Sequence, residues 1–314
     1  MRVLIAEDDP VSRRLLESFL AKWGYETEVV VDGAEAWKVL QKEDCPKLAI
    51  LDWMMPSMDG SQICLELRKR IQKQYVYVIL LTAKSQKGDV IEGLEAGADD
   101  YLVKPFDKHE LKARLNSGVR IVELQEQLIG AREALRVQAT HDSLTGALNR
   151  AAILEHLERE IARSQREGNS PCLAIVDVDH FKSFNDTHGH LVGDKVLREV
   201  IQRLRSKVRP YDAIGRYGGE EFLVVAPDAN AANAMKMADR LRASIADHPF
   251  EINERQLTVT VSLGVAVYEG NIGGEALIRR ADAALYRAKN SGRNRVELGS
   301  KDDAGQTQTL EAGI

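Results

Sequence analysis

Four short apolar runs, Val3–Ala6, Leu48–Leu51, Val76–Leu81 and Tyr101–Val103, limit most strongly what the first 120 residues can become. They alternate with amphipathic segments, which is the pattern of βα units feeding a parallel sheet. Each run stops at polar residues: Glu7-Asp8-Asp9, Asp52, Thr82 and Lys104. The carboxyl ends of strands in a doubly wound sheet converge on one crevice, so these residues are expected to be neighbours. Crowded carboxylates repel, and a raised pKa or a hard divalent cation with oxygen ligands relieves them. Mg²⁺ on Glu7 and Asp8 would let Asp52 act as a nucleophile on a phosphoryl group, with Lys104 and Thr82 on the phosphoryl oxygens. Any one acid could simply open a loop. Four strand ends of complementary chemistry favour a site.

The 314 residues, 44% of them hydrophobic, leave room for about two domains. A formal charge of −5 provides no general basic field for nucleic acid. Cys45, Cys64 and Cys172 are odd in number and lack CxxC spacing, which argues against a disulfide framework or a zinc site. The apolar start, Met1 to Ala6, is too short for a signal peptide, and no run reaches the roughly 18 apolar residues of a membrane span. A soluble protein of a reducing, cytoplasmic compartment is expected, without membrane insertion.

From Asp107 to about Gln138 there is no proline, and Ile121, Leu124, Leu128, Ala131 and Leu135 recur three and four apart. That is a heptad seam on a continuous helix. Gly118 and Gly130 weaken such a helix by about 1 kcal/mol each. The helix either pairs with its copy in a second chain or packs on its own N-terminal domain.

"HDSLTGALNR", His141 to Arg150, opens a new unit and leads into an amphipathic run over Ala151–Arg166. Leu173–Val176 reads as a buried strand, and Asp177 and Asp179 follow on one face of extended chain. Gly218 and Gly219 suit a two-residue hairpin turn with positive φ between Ala213–Tyr217 and Phe222–Val225. Beside the Leu173 strand, that hairpin would bring Glu220 and Glu221 within reach of the same ion as Asp177. Gly-Gly-Glu-Glu by itself would be a solvated tip. Other residues change that reading: Asn185 and Asp194 suit the acceptor and donors of guanine. Lys289 and Arg293, four apart on a helix from Glu275 and its extension, suit a triphosphate, and Lys182 follows the first acidic strand end.

"LDWMMPSMDG" around Asp52, "LTA" at Thr82 and "DDYLVKPF" through Lys104 resemble the receiver domain of two-component response regulators over roughly the first 120 residues. The resemblance implies a five-stranded, flavodoxin-like parallel sheet and phosphorylation of Asp52 by a histidine kinase. It also implies one Mg²⁺ on Glu7, Asp8, Asp52 and the Met54 carbonyl, and a switch through Thr82, Tyr101 and Lys104. Proline leaves the Lys104-Pro105 bond free to be cis.

"GGEEF" and "DSLTGALNR" resemble the GGDEF family of diguanylate cyclases across roughly residues 140 to 298. This implies a palm-like α/β domain with a central antiparallel sheet, and conversion of two GTP into cyclic di-GMP and two pyrophosphates. The expected organisation is a receiver over 1–120, a linker helix over 107–140, a cyclase domain over 141–298 and a disordered tail over 299–314. By the same resemblance Asp177, the Val178 carbonyl, Glu220 and Glu221 would hold two Mg²⁺ per GTP site. Glu220 would be the base, with Lys182 also catalytic. Asn185, His190, Asp194, Lys289 and Arg293 would bind substrate, Asn185 and Asp194 reading guanine and the cations neutralising phosphate. The active state would be a homodimer. "RPYD" ahead of the glycines matches the family's RxxD, so Arg209 and Asp212 would bind product and inhibit.

Three other readings compete. A non-catalytic module that binds GTP or cyclic di-GMP would normally lack one of the acids at 177, 220 and 221, and all are present. A receiver-controlled transcription factor lacks a helix-turn-helix pattern or basic helix here. A cyclase using ATP in part conflicts with Asp194, which finds no matching donors on adenine.

Overall fold

The computed structural model describes residues 1–69, 75–83, 94–270, 272–300 and 303. It divides into two units, Met1–Glu133 and Ala134–Ile314.

In the first unit, β1 (Arg2–Ala6), β2 (Glu26–Val30), β3 (Leu48–Asp52), β4 (Tyr77–Thr82) and β5 (Asp100–Val103) form a parallel sheet in the order β2-β1-β3-β4-β5. Both faces are covered, which explains why β3 and β4 are buried along their whole length. Leu4, Ala49, Leu51, Val78 and Leu80 meet the helices Gly33–Leu40 and Gly60–Lys69. The alternate residues Val3, Ile5, Ile50, Ile79 and Leu81 meet the helices Pro10–Lys22 and Lys108–Thr140. Chain order reverses between β1 and β3, the place where such sheets open a crevice at their carboxyl ends. The Lys104-Pro105 bond beside it is cis.

The helix Lys108–Thr140 runs 33 residues without interruption. Its first part buries Leu111, Leu115, Gly118 and Val122 in the core of the first unit. Beyond Val122 the heptad positions turn outward, with Leu124 57%, Leu128 63% and Leu135 65% exposed. The first part thus packs on its own domain, one of the two expected arrangements, and the later heptad positions form an exposed apolar row. Gly118 has a packing reason, since a Cβ there would lie 2.6 Å from the Tyr77 ring and 2.9 Å from Leu48. At Gly130 nothing lies within 4 Å.

In the second unit, β6 (Cys172–Val178), β7 (Ala213–Arg216), β8 (Glu221–Ala226), β11 (Val261–Val267) and β12 (Val296–Leu298) take the order β12-β11-β6-β8-β7. β9 (Phe250–Ile252) and β10 (Arg255–Leu257) form a separate hairpin. The sheet is antiparallel across its centre, as expected, and becomes mixed at one edge, where β12 lies parallel to β11. The crossover helix Gly274–Asn290 permits that parallel return. β6 is central and all seven of its residues are buried, so an acid at its end leaves water only at the strand terminus. The helices His190–Arg205 and Ala231–Ala246 pack on one face of the sheet. Arg150–Glu167 and Gly274–Asn290 pack on the other.

Gly299 and Asp303, placed in the expected disordered tail, are both hydrogen-bonded to the second unit. The Gly299 N–H donates to the Val265 carbonyl at 2.7 Å, and Asp303 accepts from Arg287 at 2.9 Å. Residues 301, 302 and 304–314 of that tail lie outside the described residues. No helix among the described residues is long and apolar enough to cross a membrane.

These packings predict opposite signs for the same substitution. Gly130→Ala should raise the urea-unfolding free energy by about 1 kcal/mol, through helix propensity alone. Gly118→Ala should lower it by about 1–3 kcal/mol, because the added methyl overpacks the contact with Tyr77.

Candidate active site

The crevice of the first unit gathers the residues read from its strand ends. Ligand oxygens of Glu7, Asp8 and Asp52 lie within 4.8 Å of one another. Lys104 Nζ sits 2.7 Å from Glu7 Oε2 and 2.9 Å from Asp52 Oδ2. Burial pushes the fully enclosed Glu7 carboxyl up to about 7, the Asp52 charge adds to the push, and Lys104 relieves only part of it. Burial works against the Lys104 charge, but its bonds to Glu7 and Asp52 win and raise its pKa. Thr82 is buried at the end of β4, and its carbonyl accepts the Lys104 N–H at 2.7 Å. Tyr101 is half-buried, with the Arg114 guanidinium 5.5 Å from its ring, and the Met54 side chain is exposed. Three carboxylates this close are a hard oxygen donor set, which suits Mg²⁺. Sequence reasoning passed over Arg13, whose Nη1 holds the Glu7 and Asp8 carbonyls at 2.8 and 3.0 Å.

In the second unit Asp177 on β6 stands directly across from Glu221 on β8. The Val178 N–H reaches the Glu220 carbonyl at 3.4 Å and ties the end of β6 to the hairpin tip. Burial raises the pKa of both Asp177 and Glu221, Lys289 relieves part of it at Asp177, and the Asp177 charge adds to the rise at Glu221. Lys289, near the end of the helix Gly274–Asn290, places Nζ 2.7 Å from Asp177 Oδ2. Asp177, Glu220 and Glu221 do not close to the 4.8 Å spacing of the first-unit trio. Their mutual repulsion is met by the lysine at one edge. They remain hard oxygen donors, two on facing strands and Glu220 at the adjoining hairpin tip, a set that fits Mg²⁺.

Three sequence expectations need correction here. The hairpin tip lies at Gly219-Glu220, because the Glu221 N–H donates to the Gly218 carbonyl at 3.3 Å, and neither glycine takes a positive φ. Gly218 instead leaves room: a Cβ there would lie 3.0 Å from Glu221 Oε2. Arg293 is not on the helix of Lys289. That helix ends at Asn290, Gly292 turns the chain at φ 110°, and Arg293 follows at φ 61°. Asp177 and Asp179 also part company, one meeting Lys289 and the other Thr260 and Ser262.

Asn185 and Asp194 come from consecutive helices, Phe181–His188 and His190–Arg205, with Gly189 at φ 84° between them. Gly193 lets these helices touch, since a Cβ on it would fall 1.9 Å from Asn185 Oδ1. That oxygen is buried and finds no hydrogen-bond partner among the described residues. Lys182 and His190 are exposed on the same pair of helices.

Two supports were not legible as such. Arg216 donates to the Gly219 carbonyl at 2.7 Å and to Asp142 at 3.1 Å, so the "HDSLTG" segment props the glutamate turn. Burial opposes the Asp142 charge, but Thr145 and Arg216 prevail and hold its carboxyl low. Arg209 and Asp212 form a tight turn, the Arg209 N–H donating to Asp212 Oδ2 at 2.8 Å. They line a cavity of about 260 Å³ together with Asn233, Lys236 and Arg240, none of which the sequence reading named. Cys64 and Cys172 are buried thiols pushed up to about 12 by that burial, which leaves them chemically quiet.

Comparison with known proteins gives two family matches. One, described as the GGDEF domain of diguanylate cyclases, covers residues 139–295, half of the chain. The other, a response regulator receiver domain, covers residues 3–116. The chain is 43% identical over 213 residues to "Diguanylate cyclase DgcP" of Pseudomonas aeruginosa, spanning 66% of this chain and 32% of that protein. It is 33% identical over 298 residues to "Response regulator PleD" of Caulobacter vibrioides, spanning 94% of this chain and 65% of that protein. It therefore covers less than two thirds of either curated relative. Among solved structures, the coiled coil and GGDEF domain of DgcB from Caulobacter crescentus, in complex with c-di-GMP, is 36% identical with a TM-score of 0.54. That likeness covers 60% of this chain and 99% of that one.

Burial of Glu7 has a measurable pH signature. Its folded pKa of about 7 lies above the ordinary 4.5, so the folded protein holds a proton that the unfolded chain releases. That contribution is fully present below about 4.5 and is lost as pH rises through about 7. Thermal melts in the absence of Mg²⁺ at pH 5 and pH 8 should show wild type losing on the order of 2 kcal/mol more than Glu7→Gln over that interval. Parallel losses in the two proteins would contradict the assignment.

Proposed function

We propose, from the premise that the chain belongs to the GGDEF family and carries a response regulator receiver domain ahead of its GGDEF domain, that it is a phosphorylation-controlled diguanylate cyclase. The receiver spans 1–120, the linker helix 107–140 and the cyclase domain 141–298. The observation that carries the proposal is the facing pair Asp177 and Glu221. Both are raised by burial and neighbouring charge, and the Glu220 tip is tied to the same strand end.

In this reading Asp177, the Val178 carbonyl, Glu220 and Glu221 would hold two Mg²⁺ with GTP, and ions held there would lower the pKa of the ribose 3′-hydroxyl and screen the α-phosphate. Asn185 and Asp194 read the guanine, with His190 also on the substrate, and Lys182, Lys289 and Arg293 neutralise phosphate charge. Glu220 takes the 3′-hydroxyl proton. The 3′-oxygen forms a bond to the α-phosphorus of the facing GTP, the bond to the β-phosphate oxygen breaks, and pyrophosphate leaves. The same step in the opposite sense closes the ring as cyclic di-GMP.

Each domain brings one GTP, so a homodimer is the working unit and proximity becomes the regulated quantity. The exposed heptad positions Leu124, Leu128 and Leu135 supply a seam for that pairing. Upstream, a histidine kinase phosphorylates Asp52, with one Mg²⁺ on Glu7, Asp8, Asp52 and the Met54 carbonyl. Lys104 and Thr82 meet the phosphoryl oxygens and, with Tyr101, relay the change. Downstream, Arg209 and Asp212 bind the product and inhibit, and the cavity they share with Lys236 and Arg240 suits its phosphates.

The alternative is a domain that binds GTP or cyclic di-GMP without turnover. Incubation with GTP and Mg²⁺ should yield cyclic di-GMP, more of it with beryllofluoride, and at least about 100-fold less with Glu220→Gln. Absence of product from wild type, with GTP still bound, would favour the binding module. Arg209→Ala should raise the steady-state product level. Unaltered sensitivity to added cyclic di-GMP would remove the inhibitory site from the account.

A further inference from the structure

We propose that Asp179 is a positioning residue which fixes the loop carrying Arg293. This inference rests on the reading of Arg293 as a phosphate clamp. Asp179 is the second acid of "DVDHF", and nothing in the chemistry above uses it. It lies just past the end of β6 and is buried. Its Oδ1 accepts from Ser262 Oγ at 2.7 Å. Its Oδ2 accepts from Thr260 Oγ1 at 2.7 Å and from the Asn294 N–H at 3.1 Å. Its own N–H donates to the Thr260 carbonyl at 3.0 Å. One carboxylate thus fastens the end of β6, the approach to β11 and the loop after the last helix.

That loop is where a fastening is needed. Gly292, Arg293 and Asn294 all have positive φ, at 110°, 61° and 46°. Gly292 adopts that conformation freely, but two consecutive residues with side chains are strained there, and the strain persists only where surroundings impose it. Arg293 is bracketed by two backbone bonds. Its own N–H donates to the Ala288 carbonyl at 3.0 Å, and the next N–H, of Asn294, goes to Asp179. Asn294 Oδ1 takes a further bond from Arg242 at 3.0 Å.

Without the Asp179 bond, one of these two brackets is lost, and Arg293 is free to leave the left-handed region. The two acids of the motif then have paired duties. Asp177 meets the Lys289 ammonium directly, and Asp179 accepts the N–H of Asn294, the residue that follows Arg293. A spacing of one residue between the acids serves both, because the first lies on β6, one residue before its end at Val178, and the second lies just past it.

The test is a double-mutant cycle on the full chain, with affinity for a GTP analogue carrying a methylene α,β bridge, in Mg²⁺, as the readout and guanosine as the control ligand. Asp179→Asn should weaken analogue binding by about tenfold, the scale of one charge-assisted phosphate contact. It should leave guanosine affinity unchanged, and it should add nothing further in the Arg293→Ala background. Equal weakening in both backgrounds, a parallel loss for guanosine, or no weakening at all would overturn the role. If Arg293→Ala alone leaves analogue affinity intact, the phosphate clamp itself is wrong and the inference falls with it, a result distinct from the other three. Should Asp179→Asn not fold, Thr260→Val takes its place in the cycle. It removes one donor from the buried acid, and about threefold weakening confined to the Arg293 background is expected. Equal weakening in both backgrounds overturns the role there too.

Discussion

A lysine ammonium set against buried carboxylate is the interaction on which both units depend. In the second unit Lys289 reaches Asp177 at the end of the central strand, and in the first Lys104 bridges Glu7 and Asp52. Burying a carboxylate without a partner is costly enough that the group neutralises instead. The raised pKa values of Glu7, Asp177 and Glu221 show that one lysine does not fully cover the acids around it. Incompletely balanced acids at strand ends form a standing demand for more positive charge, one that a hard divalent cation would meet.

Topology makes that crowding possible. β1 and β3 are neighbours in a parallel sheet, so Glu7 and Asp52 emerge side by side at the carboxyl edge. β6 and β8 are antiparallel neighbours in register, so Asp177 faces the start of β8 at Glu221. Two sheets of different hand of pairing reach a similar electrostatic result. The apolar cores on both faces of each sheet provide the stability that an unfavourable cluster of charges requires.

Legibility in the sequence followed the range of the interactions. Strands buried on both faces announce themselves as apolar runs, and β1, β3, β4, β6 and β8 were read that way. β2, the edge strand "ETEVV", mixes polar and apolar residues and has no such run. The acids at 7, 8, 52, 177, 220 and 221 were legible because each ends or begins a run. Their supports were not: Arg216 meets Asp142 across the chain, and Gly193 meets Asn185 across a helical corner, so no local pattern marks either contact. Arg293 was misplaced by carrying helical spacing past "NSGR", where Gly292 already signals a helix stop. The glycines before the glutamates were noticed for conformational freedom, but neither takes a positive φ, and a Cβ on Gly218 would meet only the Glu221 carboxylate.

The account is tested most directly by locating the ion. Crystals grown with Mn²⁺ and a non-hydrolysable GTP analogue, measured for anomalous scattering at the manganese edge, report where the metal sits without reliance on turnover. A peak about 2.0–2.3 Å from carboxylate oxygens of both Asp177 and Glu221, beside the nucleotide phosphates, is the predicted result. Nucleotide bound with manganese only among Glu7, Asp8 and Asp52 would contradict the claim that the facing strands β6 and β8 are built around a shared cation.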